Sequence, residues 1–156
     1  MAEQEPRVKL PPVEQIGIVV NDIDRAIQYY TSVFGLGPFR VREFENKGAI
    51  YKGQPSNNRS KVAFARSGSI EIELIQVLDG ESPATEFLRE KGEGIQHLCF
   101  GVDDLEETLA ELTKDGINTM YRMSSQEYGT DIAFINSNDV GGVMFELYQR
   151  PHKPKT

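Results

Sequence analysis

Four polar side chains stand inside otherwise apolar runs of this 156-residue chain: Gln15, Glu73, His97 and Glu146. Strand alternation sends successive side chains to opposite faces. Gln15 therefore shares a face with Gly17 and Val19, His97 with Cys99 and Gly101, Glu73 with Ile75, and Glu146 with Met144 and Tyr148. A carboxylate on a buried face is costly unless it is paired or bound to a cation. Two carboxylates, an imidazole and an amide oxygen that converge would make a metal site without a thiolate. That set suits one divalent ion (Co, Mn, Ni, Zn or Fe) with positions left open for water or substrate. Taken singly, each residue has a plainer explanation: an edge-strand glutamine, a glutamate on the wet face of a sheet, a hydrogen-bonded core histidine.

What ties the four together is a repeat. Residues 13–30 read VEQIGIVVNDIDRAIQYY and residues 95–112 read IQHLCFGVDDLEETLAEL, aligned without a gap. Each is a β-rich run, an Asn/Asp-Asp pair and a helical pattern. Ile23, Ile27, Tyr30 and Phe34 recur at helical spacing in the first copy, and Leu105, Leu109 and Leu112 in the second. Asp104 with Glu107 three residues on has the form of a capping box. Residues 61–76 (KVAFARSGSIEIELIQ) and 131–149 (DIAFINSNDVGGVMFELYQ) repeat a second pattern: a strand holding Ala-Phe, a turn, and a strand with Glu-Leu-x-Gln. The alignment pairs Gln15 with His97 and Glu73 with Glu146. One further strand fits in each copy, near 39–44 and 118–123. The unit predicted is βαβββ, used twice: module one over 13–78, a linking helix over 83–92 with Ser82 as N-cap and Pro83 at its first position, and module two over 95–149. The expected fold is α+β, a single domain over 13–150. Residues 1–12 and 151–156, charged and proline-rich, are expected as tails.

Composition excludes other classes. The net charge of −7 argues against a general nucleic-acid binder. One cysteine forms no internal disulfide framework, and with two histidines it supports no Cys/His zinc cluster. No apolar run approaches the roughly twenty residues of a membrane span. A soluble, cytoplasmic protein is expected.

The segments VEQIGIVVNDIDRAIQYYTSVFG (13–35), IELIQVLDGESPATEFLREKGEGIQHLCFGVDDL (72–105) and FINSNDVGGVMFELYQ (134–149) resemble the vicinal oxygen chelate (glyoxalase/bleomycin resistance) superfamily, and within it the methylmalonyl-CoA epimerase branch. The resemblance covers about 13–149. It implies a cup-shaped mixed sheet around one divalent ion, with Gln15, Glu73, His97 and Glu146 as ligands. The epimerase usually carries histidine at the places of Gln15 and Gln96, and the Gln-Glu-His-Glu set is similar to that of some glyoxalase I enzymes.

The implied activity is a metal-dependent epimerase or isomerase that polarises a substrate carbonyl and moves a proton at the adjacent carbon. Glu146 is the expected base. Lys61, near the start of the third strand, is the candidate for the second acid/base, with Glu71 a weaker one; a solvated strand-end lysine is the alternative reading. Residues 47–60 are expected to form a long loop whose Tyr51, Lys52 and Arg59 close over an anionic substrate. Cys99 is expected as core filler and His152 as an exposed tail residue. The alternatives are a glyoxalase I-type lactoylglutathione lyase and a non-catalytic small-molecule binder. The resemblance implies as partners a small carbonyl or thioester substrate and, since dimers commonly complete the assembly in this family, a second copy of the chain; two half-units in one chain leave sheet edges.

Overall fold

Three helices begin where side-chain caps can satisfy their first free N–H groups. Asp22, Ser82 and Asp104 each accept from the backbone three residues on, opening α1 (Ile23–Phe34), α2 (Pro83–Lys91) and α3 (Leu105–Thr113). Such caps contribute about 1 kcal/mol each. In the computed structural model, residues 4–125 and 129–152 are described. Residues 1–3 and 153–156, the outer parts of the two expected tails, lie outside them.

The eight strands are β1 (Gln15–Val19), β2 (Arg40–Tyr51), β3 (Gln54–Ser67), β4 (Ile70–Asp79), β5 (Gly94–Val102), β6 (Thr119–Ser125), β7 (Thr130–Ile135) and β8 (Met144–Gln149). They close in the order β1-β4-β3-β2-β6-β7-β8-β5. Both halves have the βαβββ order, and β1 and β5, the equivalent first strands, pair antiparallel. β2 meets β6 only through Ile50 with Arg122 and Tyr51 with Tyr121. Among the described residues this is the shortest ladder in the closed order. The edges expected to need a second copy are thus joined within the chain, because the modules cover each other. A homodimer keeps its support from the resemblance alone.

Alternation sorts each strand into two faces. Outside, α1 packs Ile23, Ala26, Ile27 and Tyr30 onto Ile18, Ala63, Ile72 and Leu74. α3 packs Leu105, Leu109 and Leu112 onto Phe100, Val102, Ala133 and Leu147. Inside, α2 plugs one end, with Ala84, Phe87 and Leu88 on Val19, Val62 and Ile75. The N-terminal segment is not a free tail throughout: Leu10 packs against the α3 cluster and Arg7 pairs with Asp115 at 3.2 Å.

Residues 47–60 are not a loop. They belong to the long β2–β3 hairpin, turned by Lys52 and Gly53 at φ 50° and 77°, the pair of positive angles that a two-residue hairpin turn requires. Among the described residues, no helix is long and apolar enough to cross a membrane.

Candidate metal centre

The cup holds a cavity of about 630 Å³ lined by Gln15, Glu71, Glu73, Gln96, His97 and Glu146 among others. His97 is its hub. The ring is buried, with a side-chain exposure of 1%. Its Nε2 lies 3.1 Å from Gln15 Oε1, 3.3 Å from Glu73 Oε2 and 3.0 Å from Glu146 Oε2. A ring nitrogen holds at most one proton, so it can satisfy only one of three facing oxygens. Two donors about 2.1 Å from a common centre and at right angles are about 3.0 Å apart, the spacing seen here. One ligand atom each from Glu73, His97 and Glu146 falls within 4.8 Å of the others. The donor chemistry and spacing therefore fit a divalent cation.

Local irregularity makes this possible. Gly17 pairs with His97, but Ile18 pairs with Ile95, so Gln96 is an extra residue in β5. This bulge lets the adjacent side chains of Gln96 and His97 both enter the cup. Gln96 Oε1 lies 2.6 Å from His97 Nδ1. A carbonyl oxygen only accepts, so Nδ1 carries the hydrogen, and a neutral His97 presents a bare Nε2 to the site. On the other side, Gln15 Nε2 donates to Glu71 Oε1 at 2.8 Å, which turns Gln15 Oε1 toward His97.

Burial disfavours a charged imidazole, but the neighbouring Glu146 and Glu73 carboxylates outweigh it and raise the His97 pKa to about 10. Burial pushes the Glu73 carboxyl up, while His97 pulls it down. Burial likewise raises the Cys99 thiol, which leaves it protonated and unreactive beside the site.

Gly17 supplies the space. A Cβ there would lie 2.1 Å from His97 Cε1. Gly17→Ala is expected to displace the imidazole, lowering stability by about 1–3 kcal/mol and weakening metal binding. Thermal melts with and without added divalent ion check both effects.

The structure brings Gln15, Glu73, His97 and Glu146 together and leaves Lys61 out. Lys61 sits on the outer face of β3, 3.0 Å from the α1 carboxylate of Asp24. The inner face of that strand carries Ser60, Val62 and Phe64. Because Asp24 is 75% exposed, the pair contributes at most about 1 kcal/mol. Lys61→Ala is expected to leave turnover and metal content within about twofold of the parent, a loss of about 0.4 kcal/mol or less; metal analysis and a rate measurement test it. Nor do Tyr51, Lys52 and Arg59 close over the cup. Tyr51 and Lys52 bind Glu86 on α2, and Arg59 faces Glu43 at 3.9 Å. His152 is exposed, as expected.

The positioning roles of two residues were not foreseen. Gln96, noted above as a place where the epimerase usually carries histidine, would be turned away from the cup by regular alternation. Glu71, named above as a weaker acid/base, lies two residues before Glu73 on the same face and holds Gln15 instead.

The family model described as the glyoxalase/bleomycin resistance protein/dioxygenase superfamily matches residues 14–134. The chain belongs to this superfamily. The chain is 32% identical over 136 residues to the uncharacterized protein YqjC of Bacillus subtilis (strain 168), covering 86% of this chain and 89% of that one. It is 28% identical over 149 residues to the mitochondrial methylmalonyl-CoA epimerase of Mus musculus, covering 94% and 78%. A crystal structure of methylmalonyl-CoA epimerase from Mycobacterium tuberculosis superposes with a TM-score of 0.67 at 27% identity, covering 96% of this chain and 95% of that one. The mixed sheet curled into a cup, with three helices, matches that structural neighbour.

Proposed function

We propose that this chain is a divalent-metal-dependent epimerase acting at the carbon beside a carbonyl, with a methylmalonyl-CoA-like thioester as substrate. The observation that carries this is the crowding of Gln15 Oε1, Glu73 Oε2 and Glu146 Oε2 around one imidazole nitrogen at the wall of an open cavity. Similarity to methylmalonyl-CoA epimerases over nearly the whole chain supports the choice of reaction.

Gln15, Glu73, His97 and Glu146 would hold the ion, which supplies Lewis-acid polarisation of the substrate carbonyl when bound. Glu146 accepts the proton from the adjacent carbon. It is the carboxylate closest to His97 Nε2, at 3.0 Å, and it lines the cup from β8. Glu71 and Gln96 keep the Gln15 and His97 donors aimed inward. The apolar walls, including Phe134 edge-on to His97 at 5.3 Å, thin out water around the reacting carbon.

The donor set also supports a second reading, a glyoxalase I-type lyase acting on a hemithioacetal, because the same proton transfer beside a carbonyl serves both reactions. A pure binder fits less well, since it has no need of four converging donors. Proton NMR in heavy water separates the three. Metal-loaded protein is expected to exchange the 2-hydrogen of methylmalonyl-CoA and interconvert its epimers. Turnover of the methylglyoxal–glutathione adduct alone would favour the lyase, and turnover of neither would favour the binder.

A further inference from the structure

Epimerisation needs a proton delivered to the face opposite Glu146, and Lys61 is outside the cup. Glu71 is engaged with Gln15. The remaining wall carries a chain of directed hydrogen bonds. Asn46 Nδ2 donates to Asn58 Oδ1 at 2.9 Å, and Asn58 Nδ2 donates to Tyr121 Oη at 2.9 Å. Tyr121 springs from β6, in the cross-strand row that runs through Phe134 to Glu146. Asn58 belongs to β3, two places beyond β6 and four from β8 in the closed order. The tyrosine hydroxyl is therefore held at the wall across the cup from Glu146.

The direction of these bonds matters. The phenol oxygen accepts from Asn58 and is also hydrogen-bonded by Asn46, while its own hydrogen faces the Met123 sulfur at 3.6 Å, a weak acceptor. Tyr121 is buried, lines the cavity and packs edge-on against Phe134 at 5.8 Å, the ring that also touches His97. Its O–H, resting on that weak acceptor, is a proton source at the cavity wall.

From this geometry, and resting on the epimerase reading above, we infer that Tyr121 is the second acid/base, donating its phenolic proton to the face of the substrate carbon opposite Glu146. In the forward direction the C–H bond breaks, its proton goes to the Glu146 carboxylate, and its electron pair moves into the adjoining carbonyl. That pair then returns to form a new C–H bond on the other face with the Tyr121 proton, leaving a phenolate. The reverse reaction starts from that state, with Glu146 protonated and Tyr121 ionised. Water in the cup carries the proton between them to restore the resting form. No oxidant or other co-reactant is needed.

The test uses the metal-loaded protein in heavy water with each epimer of methylmalonyl-CoA, followed by NMR. Tyr121→Phe is expected to lower epimerisation by at least about 100-fold. Exchange of the 2-hydrogen with retention, in the epimer whose hydrogen faces Glu146, is expected to stay within about tenfold of the parent. Equal losses of exchange and epimerisation, or equal preservation of both, would overturn the role of Tyr121. A parent protein that neither exchanges nor epimerises overturns the epimerase reading instead. If Tyr121→Phe does not fold, Asn58→Ala serves. It removes the amide that holds the phenol, and the same split between exchange and epimerisation is expected, at about tenfold. Parallel losses in that variant would also count against the proposal.

Discussion

His97→Ala is expected to purify without bound divalent metal and to lose substrate proton exchange by at least about 1000-fold. The reason is geometric. His97 is the single nitrogen donor of the set, and its Nε2 is the point toward which Gln15, Glu73 and Glu146 all converge. Its removal leaves two buried carboxylates facing each other with no positive partner, a costly arrangement. The folded state is destabilised as well. Glu146→Gln is the informative companion. The amide keeps the shape and one oxygen donor but accepts no proton, so metal content is expected to fall far less than exchange. Elemental analysis of protein purified without chelator, beside NMR exchange rates, measures both quantities. Unchanged metal content in both variants would remove the site.

Metal affinity is expected to rise steeply with pH. In the metal-free protein the His97 pKa is raised to about 10, because the flanking carboxylates overcome the effect of burial. An unfolded histidine titrates near about 6.5. The imidazolium–carboxylate network therefore contributes its full stability below about 6.5, and that contribution is lost as pH climbs through about 10. The raised Glu73 carboxyl acts in the same direction from a lower pH. A cation must displace the shared proton from Nε2. Each unit of acidification below about 10 is thus expected to cost about tenfold in affinity. Melting temperatures of metal-free and metal-loaded protein across pH 6 to about 10 are expected to diverge as pH rises. A gap that stays constant or narrows would show that His97 does not exchange its proton for a metal.

Much of the cup was legible because the chain states it twice. Asp22 and Asp104 mark equivalent helix starts, and the pairing of Gln15 with His97 and Glu73 with Glu146 needed only alignment and alternation. The outward position of Lys61 was misread, although a feature of the turn encodes it. Gly68 and Ser69 make a two-residue connection between β3 and β4, which sets Phe64 against Glu73 and Lys61 against Gln76. Lys61 then falls on the face opposite Glu73. The long hairpin through 47–60 was hidden because its strands are polar on both faces and carry no alternation, leaving only Lys52-Gly53 as a signal. Tyr121 was hidden for another reason. Its role depends on Asn58, which is 63 residues away in sequence and reaches it only after the modules meet.

The extra residue in β5 makes the site sensitive to chain length as well as to composition. Deleting the single residue at 96 would restore an unbroken ladder between β1 and β5. His97 would still face inward, but nothing would hold its Nδ1 hydrogen. Deleting residue 97 instead would leave an amide where the imidazole now stands. The bulge at Gln96 and His97 is thus a place where the chain cannot be shortened without loss of this centre.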